Sequence, residues 1–211
     1  QPAPTGAGPA TRAMMCGTKL ALVPALLSTW LGGCAHLQVG EDGLSYAQRQ
    51  ARLEAVDAWE MNGRIAINTG ESAFQGRFQW HQSAGSIELS IRGPLGAGIL
   101  QVAGPPERLT VRARGETWEL SDPEPELSAL LGWWLPVRSL NAWLLGFSDP
   151  MYSSEEQLGP GPALQTLEQR LWRLTYESYQ LSEGLLLPRH IDFTHGSLEL
   201  RVTVDRWRPS S

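Results

Sequence analysis

The stretch Phe74-Gln75-Gly76-Arg77-Phe78-Gln79-Trp80-His81 sets an apolar or small residue at every second position and a polar one between. A strand turns successive side chains to opposite faces, so this alternation buries Phe74, Gly76, Phe78 and Trp80 and leaves the other set to water. The same period runs upstream through Met61, Gly63, Ile65 and Ile67, and downstream through Ile87, Leu89 and Ile91, then Leu109, Val111 and Ala113. It resumes in Trp172, Leu174 and Tyr176, in Ile191 and Phe193, and in Leu198, Leu200, Val202 and Val204. Short neighbouring strands with one apolar face predict an antiparallel sheet solvated on its other side.

Helical spacing interrupts this pattern twice. Residues 44–58 predict a helix ahead of the first strand, with Leu44, Ala47, Ala51 and Val56 near one face. Asp122-Pro123 predicts a helix start, Asp122 as the cap and Pro123 in the first turn, followed by Leu127, Leu130 and Leu131 at helical spacing. Beyond Gly132-Trp133-Trp134-Leu135-Pro136, a second short helix carries Leu140, Trp143 and Leu144 on one side, and Pro and Gly from Pro150 to Pro162 predict a loop. The order predicts a mainly β, α+β fold: an open antiparallel half-barrel whose concave apolar face is covered by helices acting as a lid.

Nine tryptophans are many for 211 residues. For any one of them ordinary core is the simpler reading; collectively they could line a cavity for acyl chains. The candidates for that wall and its lid are Phe78, Trp80, Leu89, Trp133, Trp134, Leu140, Trp143, Leu144 and Trp172.

Ahead of the domain, Leu31-Gly32-Gly33-Cys34 follows an apolar run from Leu20 to Leu31 with Lys19 just upstream. The run is shorter than the roughly 20 residues that span a bilayer. A cation, a short apolar core and small residues before a cut site describe an export signal, here of the lipoprotein type, with Cys34 as the lipid-bearing first residue of the mature chain. Residues 1–13 precede Met14 and Met15 and are set aside as a mis-called start or an appended segment. The expected layout is an extension and signal over 1–33, a lipidated tether over 34–43, and one domain over 44–211. The two cysteines are Cys16 and Cys34, so the folded part offers no disulfide or thiolate metal site.

Of the 17 Lys and Arg, Arg12 and Lys19 precede Cys34; the other 15 face 22 Asp and Glu, a balance of −7. That excess of acid disfavours nucleic acid and broad adhesion to anionic lipid, so membrane attachment is expected to be hydrophobic. One turn fits that expectation. In Arg92-Gly93-Pro94-Leu95-Gly96-Ala97-Gly98, Pro94 and Gly96 make a turn between strands and raise Leu95 where a polar residue is usual. The glycines do not form a dinucleotide fingerprint, because Gln101 stands in the third place.

No catalytic residue, metal ligand or cofactor site is expected. His36, His81, His190 and His195 fit no zinc motif, and no Gly-x-Ser-x-Gly occurs. His190 and Asp192 share an outward strand face as a solvated pair, and Glu155-Glu156 read as loop charge.

Taken in order, several pieces resemble the LolB family of outer-membrane lipoprotein receptors. They are the Leu-Gly-Gly-Cys34 box, Trp59 and Gly63-Arg64, Phe78-x-Trp80, and Gly93-Pro94-Leu95-Gly96. Leu135-Pro136 through Leu140-x-x-Trp143-Leu144-Leu145-Gly146 follow, then Trp172, Tyr176, Leu187-Pro188 and Trp207. The resemblance covers most of the chain after Cys34. It implies an open β-barrel with a helical lid, and a receptor that accepts lipoproteins from the periplasmic carrier LolA and inserts them into the outer membrane without nucleotide. It also implies that Leu95 is the membrane-inserting residue, and that Ala35, standing where Asp would mean inner-membrane retention, allows residence on the periplasmic face of the outer membrane. A monomer is expected. The Trp133-Trp134 pair and the lack of Lys after Cys34 depart from better-known members. The rival reading from the residues alone is an envelope scaffold with a filled core; a tethered hydrolase is weaker.

Overall fold

Strand β1 (Ala58–Asn68) lies at the centre of one antiparallel sheet, paired on one side with β2 (Ala73–Ser83) and on the other with β11 (Leu198–Ser210). The computed structural model describes residues 43–210 apart from Ala84 and Ala97, together with the backbone but not the side chain of Leu95. These residues belong to a single unit, 38–211.

From β2 the sheet continues through β3 (Ser86–Arg92), β4 (Gly98–Gly104), β5 (Leu109–Ala113) and β6 (Glu116–Leu120). From β11 it continues through β10 (Leu185–His195), β9 (Trp172–Ser182), β8 (Leu164–Gln169) and β7 (Ser154–Leu158). The eleven-stranded order is β6-β5-β4-β3-β2-β1-β11-β10-β9-β8-β7. Edge strands β6 and β7 are not paired to each other, so the sheet is open rather than a closed barrel.

Sequence parity carries through to burial. Trp59, Met61, Phe78, Trp80, Ile87, Ile91, Trp172, Leu174, Tyr176, Ile191, Phe193, Val202 and Val204 are all buried. Gly63 shows why one position on the buried face must be small. A Cβ there would stand 2.0 Å from the Thr203 carbonyl oxygen, at the bulge where the β1–β11 register shifts. Two hairpins turn through residue pairs in the left-handed region, Arg114-Gly115 and Glu183-Gly184, the backbone that fits tight antiparallel connections.

Three helices interrupt the strands: α1 (Tyr46–Glu54), α2 (Pro123–Leu131) and α3 (Val137–Leu145). Helix α1 starts with a capping box, Ser45 and Gln48 each bonding the other's backbone N–H. Its buried face is not the expected one. Arg49 and Leu53 are buried, with Tyr46 and Val56 packed beside them, whereas Ala47 and Ala51 are exposed. Spacing cannot see that an arginine is the inward residue. Asp122 does sit at the N-cap of α2, but its side chain makes no cap bond; Glu126 instead accepts from the Asp122 N–H at 3.2 Å.

The expected loop over 150–162 contains β7, and Glu155 and Glu156 lie on that strand rather than in a loop. Every residue of β7 is exposed, so no apolar alternation marks it. Among the described residues no helix is long and apolar enough to cross a membrane.

Candidate functional site

The concave face of the sheet and the segment from α2 to α3 line a half-open cavity of about 140 Å³. Central strands contribute Met61, Ile65 and Ile67 from β1, Phe78 and Trp80 from β2, Leu89 and Ile91 from β3, and Leu200 and Val202 from β11. The flanks add Leu100, Trp172 and Phe193. The helical cover supplies Leu131, Trp133, Leu135, Leu140, Trp143 and Leu144. All of these residues are apolar. Among the described residues no cluster of His, Cys, Asp or Glu could hold a metal ion.

Eight of the nine residues singled out from the sequence lie on this wall. Trp134 does not; the Arg170 guanidinium lies 5.4 Å from its ring centroid. The residues not singled out, such as Met61, Ile65 and Val202, follow from the same strand parity. Leu100 sits on β4, whose short Gly-ended run, Gly98-Ile99-Leu100-Gln101-Val102-Ala103-Gly104, hid the strand. The indole N–H groups of Trp80 and Trp172 are buried without a hydrogen-bond partner among the described residues, a cost to folding.

Polar contacts hold the lid at both ends. On α2, Glu124 accepts from both Arg170 terminal nitrogens, at 2.9 Å and 2.6 Å, and from the Arg138 backbone N–H at 3.2 Å. The two side chains are only 12% and 9% exposed. Hydrogen bonding to Glu124 raises the Arg170 pKa above its ordinary value. Arg170 Nη1 also donates to Ser139 Oγ at 3.2 Å, and Ser139 donates to Asp149 at 2.6 Å. Arg170 and Leu171 form the β8–β9 turn at φ 52° and 66°, so two non-glycine residues hold left-handed backbone to place this guanidinium under the lid. From α3, Trp143 Nε1 donates to Gln169 Oε1 at 2.7 Å.

At the far end of α3 the helix closes on Gly146, at φ 88°. Buried Arg49 donates to the Gly146 carbonyl at 2.9 Å and to the Leu186 carbonyl at 2.6 Å, so a cation sits at the negative end of the helix and ties α1, α3 and β10 together. A Cβ on Gly146 would meet Pro188 Cγ at 2.9 Å, and Trp207 Nε1 donates to the Pro188 carbonyl at 2.7 Å. Burial also pushes the Tyr46 hydroxyl up to about 12 and raises those of Tyr176 and Tyr179.

Cys34 lies outside the described residues. The backbone of Pro94–Gly96 forms a 3-10 turn between β3 and β4, with Pro94 and Gly96 exposed. Asp192 is bound by Arg201 at 2.8 Å and 3.1 Å. His190 lies instead beside Ser178, Nδ1 to Oγ 2.6 Å, which the sequence did not reveal because cross-strand register brings them together. Among the described residues no carboxylate bonds His190, so the pair lacks the orienting third group of a nucleophilic site.

The family model for outer membrane lipoprotein LolB matches residues 57–207. The outer-membrane lipoprotein LolB of Nitrosococcus oceani is 33% identical over 187 residues, covering 84% of this chain and 92% of the relative. That of Alkalilimnicola ehrlichii is 31% identical, covering 88% and 95%. Among solved structures, a LolA-superfamily protein from Nitrosomonas europaea superposes with a TM-score of 0.51 at 10% identity, covering 80% of this chain and 94% of that one. A DUF1329-family protein from Desulfovibrio piger superposes with a TM-score of 0.54 at 9% identity, covering 81% and 92%. Those two share the fold: an open antiparallel sheet wrapped around a helical cover. With a family match running from the start of β1 well into β11 and relatives at this identity over nearly their full lengths, the chain belongs to the LolB family of outer-membrane lipoproteins.

Proposed function

We propose that this protein is an outer-membrane lipoprotein receptor. It takes lipoproteins from the periplasmic carrier LolA, holds their acyl chains in the apolar cavity, and places them in the outer membrane. The observation that carries the reading is the cavity itself, walled by apolar side chains alone and roofed by α2 and α3. Each acyl methylene kept from water is worth about 0.8 kcal/mol, so a triacylated protein cannot cross the periplasm free. Passage between two apolar cavities avoids that cost, and about 1.4 kcal/mol of preference sets direction tenfold.

At about 140 Å³ the cavity is near the size that holds one benzene ring, too small for an acyl chain. Loading of a whole chain then calls for movement of the cover formed by α2 and α3, and the Glu124–Arg170 pair is one of the contacts that such movement strains. The scaffold reading with a filled core is not favoured, because the family's members are outer-membrane lipoprotein LolB proteins.

The rest of the layout follows from this reading. Residues 1–33 are removed, Cys34 carries the lipid, residues 34–43 tether the domain over 44–211 to the periplasmic face, and the protein works as a monomer. Leu95 enters the membrane: Leu95→Glu is expected to leave folding and acyl acceptance intact and to abolish placement of clients into liposomes. Normal placement by that variant would remove the turn from the mechanism. The receptor reading is tested by mixing the chain with carrier loaded with a lipoprotein and following the cargo by size exclusion. Cargo on this chain supports the reading; cargo left on the carrier beside folded receptor contradicts it.

A further inference from the structure

The outer face of the sheet carries its charge in cross-strand neighbours of both unlike and like sign. Several charged residues that oppose each other across neighbouring strands are of opposite sign: Asp192 with Arg201, Glu168 with Arg173, and Glu60 with Arg208. Each of these pairs closes an ion pair. Glu155 and Glu168 oppose each other with like charge, but Arg173 takes Glu168. On β1, β2 and β3, however, Arg64 lies directly opposite Arg77, and Arg77 directly opposite Arg92. Side chains so placed have Cβ atoms about 4.5–5.5 Å apart, and like charges there are destabilising.

Asp205 takes Arg64 at 3.2 Å. The side chains of Arg77 and Arg92 are exposed and make no hydrogen bond or ion pair with any described residue. Among the described residues no carboxylate pairs with either of these two neighbouring cations.

Their position gives the row a partner. Arg92 ends β3, and the chain turns through Pro94–Gly96 immediately after it. Arg64, Arg77, Arg92 and Arg201 line one surface groove together with Pro94 and Gly96. If Leu95 enters the acyl layer, Arg92 and its neighbour Arg77 are held at the depth of the lipid phosphates.

We propose that Arg77 and Arg92, flanked by Arg64, bind the phosphate of phospholipid headgroups beside the inserted turn. A guanidinium fork matches phosphate oxygens in geometry and charge, and an anion between the two arginines relieves their repulsion. The acidic balance of the whole chain argues against adhesion over the entire surface, but not against one local site. This inference rests on the reading of the turn as the membrane contact, and its test separates the two.

The full lipidated chain is reconstituted in vesicles of phosphatidylethanolamine alone or with phosphatidylglycerol. Arginine modification by phenylglyoxal is then mapped by mass spectrometry, and client placement is timed. Protection of Arg77 and Arg92 that strengthens with phosphatidylglycerol and weakens with salt is the expected result. With a juxtamembrane cation contributing about fivefold, the pair Arg77→Gln and Arg92→Gln is expected to slow placement by about 25-fold with acyl acceptance unchanged. Equal modification with and without vesicles, or protection by inorganic phosphate alone equal to that by vesicles, overturns the proposal. If Leu95→Glu blocks placement while the double arginine variant places normally, the headgroup site falls and the turn stands. If Leu95→Glu places normally while the arginines remain protected by vesicles, the turn reading falls and the headgroup site stands.

Discussion

The two faces of the sheet share their strands and differ in everything else. The concave face presents aromatic and aliphatic side chains to a half-open apolar cavity; the convex face presents arginines and carboxylates to solvent. Because side chains alternate, the two faces are written in the same residues: Arg64 lies between Gly63 and Ile65, and Arg77 between Gly76 and Phe78. A one-residue slip in register would exchange them. The concave face gathers apolar side chains away from water, and under the proposed readings it is there that acyl chains are held, while on the convex face only the arginines left without a partner meet a ligand.

The largest expected effect lies on the concave side. Leu140→Glu puts a carboxylate into a wall that is apolar throughout, and an unpaired charge in such surroundings costs several kcal/mol. Acyl retention, read by a fluorescent fatty acid, should fall by more than tenfold while the sheet's circular dichroism persists. Undiminished binding would mean that acyl chains lie elsewhere.

Glu124→Gln comes next, at the seam between lid and sheet. Leaving Arg170 in place without its counter-charge costs about 3 kcal/mol, seen as a lower denaturation midpoint. It should also speed uptake and loosen retention, because the closed lid loses its tie. A variant as stable and as retentive as the parent would show that the Glu124–Arg170 pair does not hold the lid.

The smallest effect belongs to a paired charge on the convex face. Glu168→Ala removes an exposed partner of Arg173 and should change stability by less than about 0.5 kcal/mol. A larger loss, measured by denaturant titration, would break the contrast between the faces.

The same contrast governs what could be read in the sequence. Strands with one buried face announce themselves by parity, so the walls from β1, β2, β3, β9, β10 and β11 were legible, as was the helix bearing Leu140, Trp143 and Leu144. Strand β7 is exposed on both faces and leaves no pattern. In β8, Leu164 and Leu167 are both buried three residues apart, a spacing that imitates a helix. Contacts set by tertiary approach were also hidden. Glu124 and Arg170 are 46 residues apart, and Arg49 and Gly146 are 97 apart. The buried Arg49 inverted the expected face of α1 because an arginine is ordinarily outward. The row of arginines was present in the alternation as outward residues; only the cross-strand register makes them neighbours.

The most direct test places the acyl chain itself. A client lipoprotein bearing a photoreactive acyl group is transferred from the carrier to this protein, irradiated, and the adducts are mapped by mass spectrometry. Adducts on the concave face and lid, at residues such as Phe78, Leu140 and Trp143, are the expected result. Adducts confined to the convex face, or none despite bound client, would contradict the account.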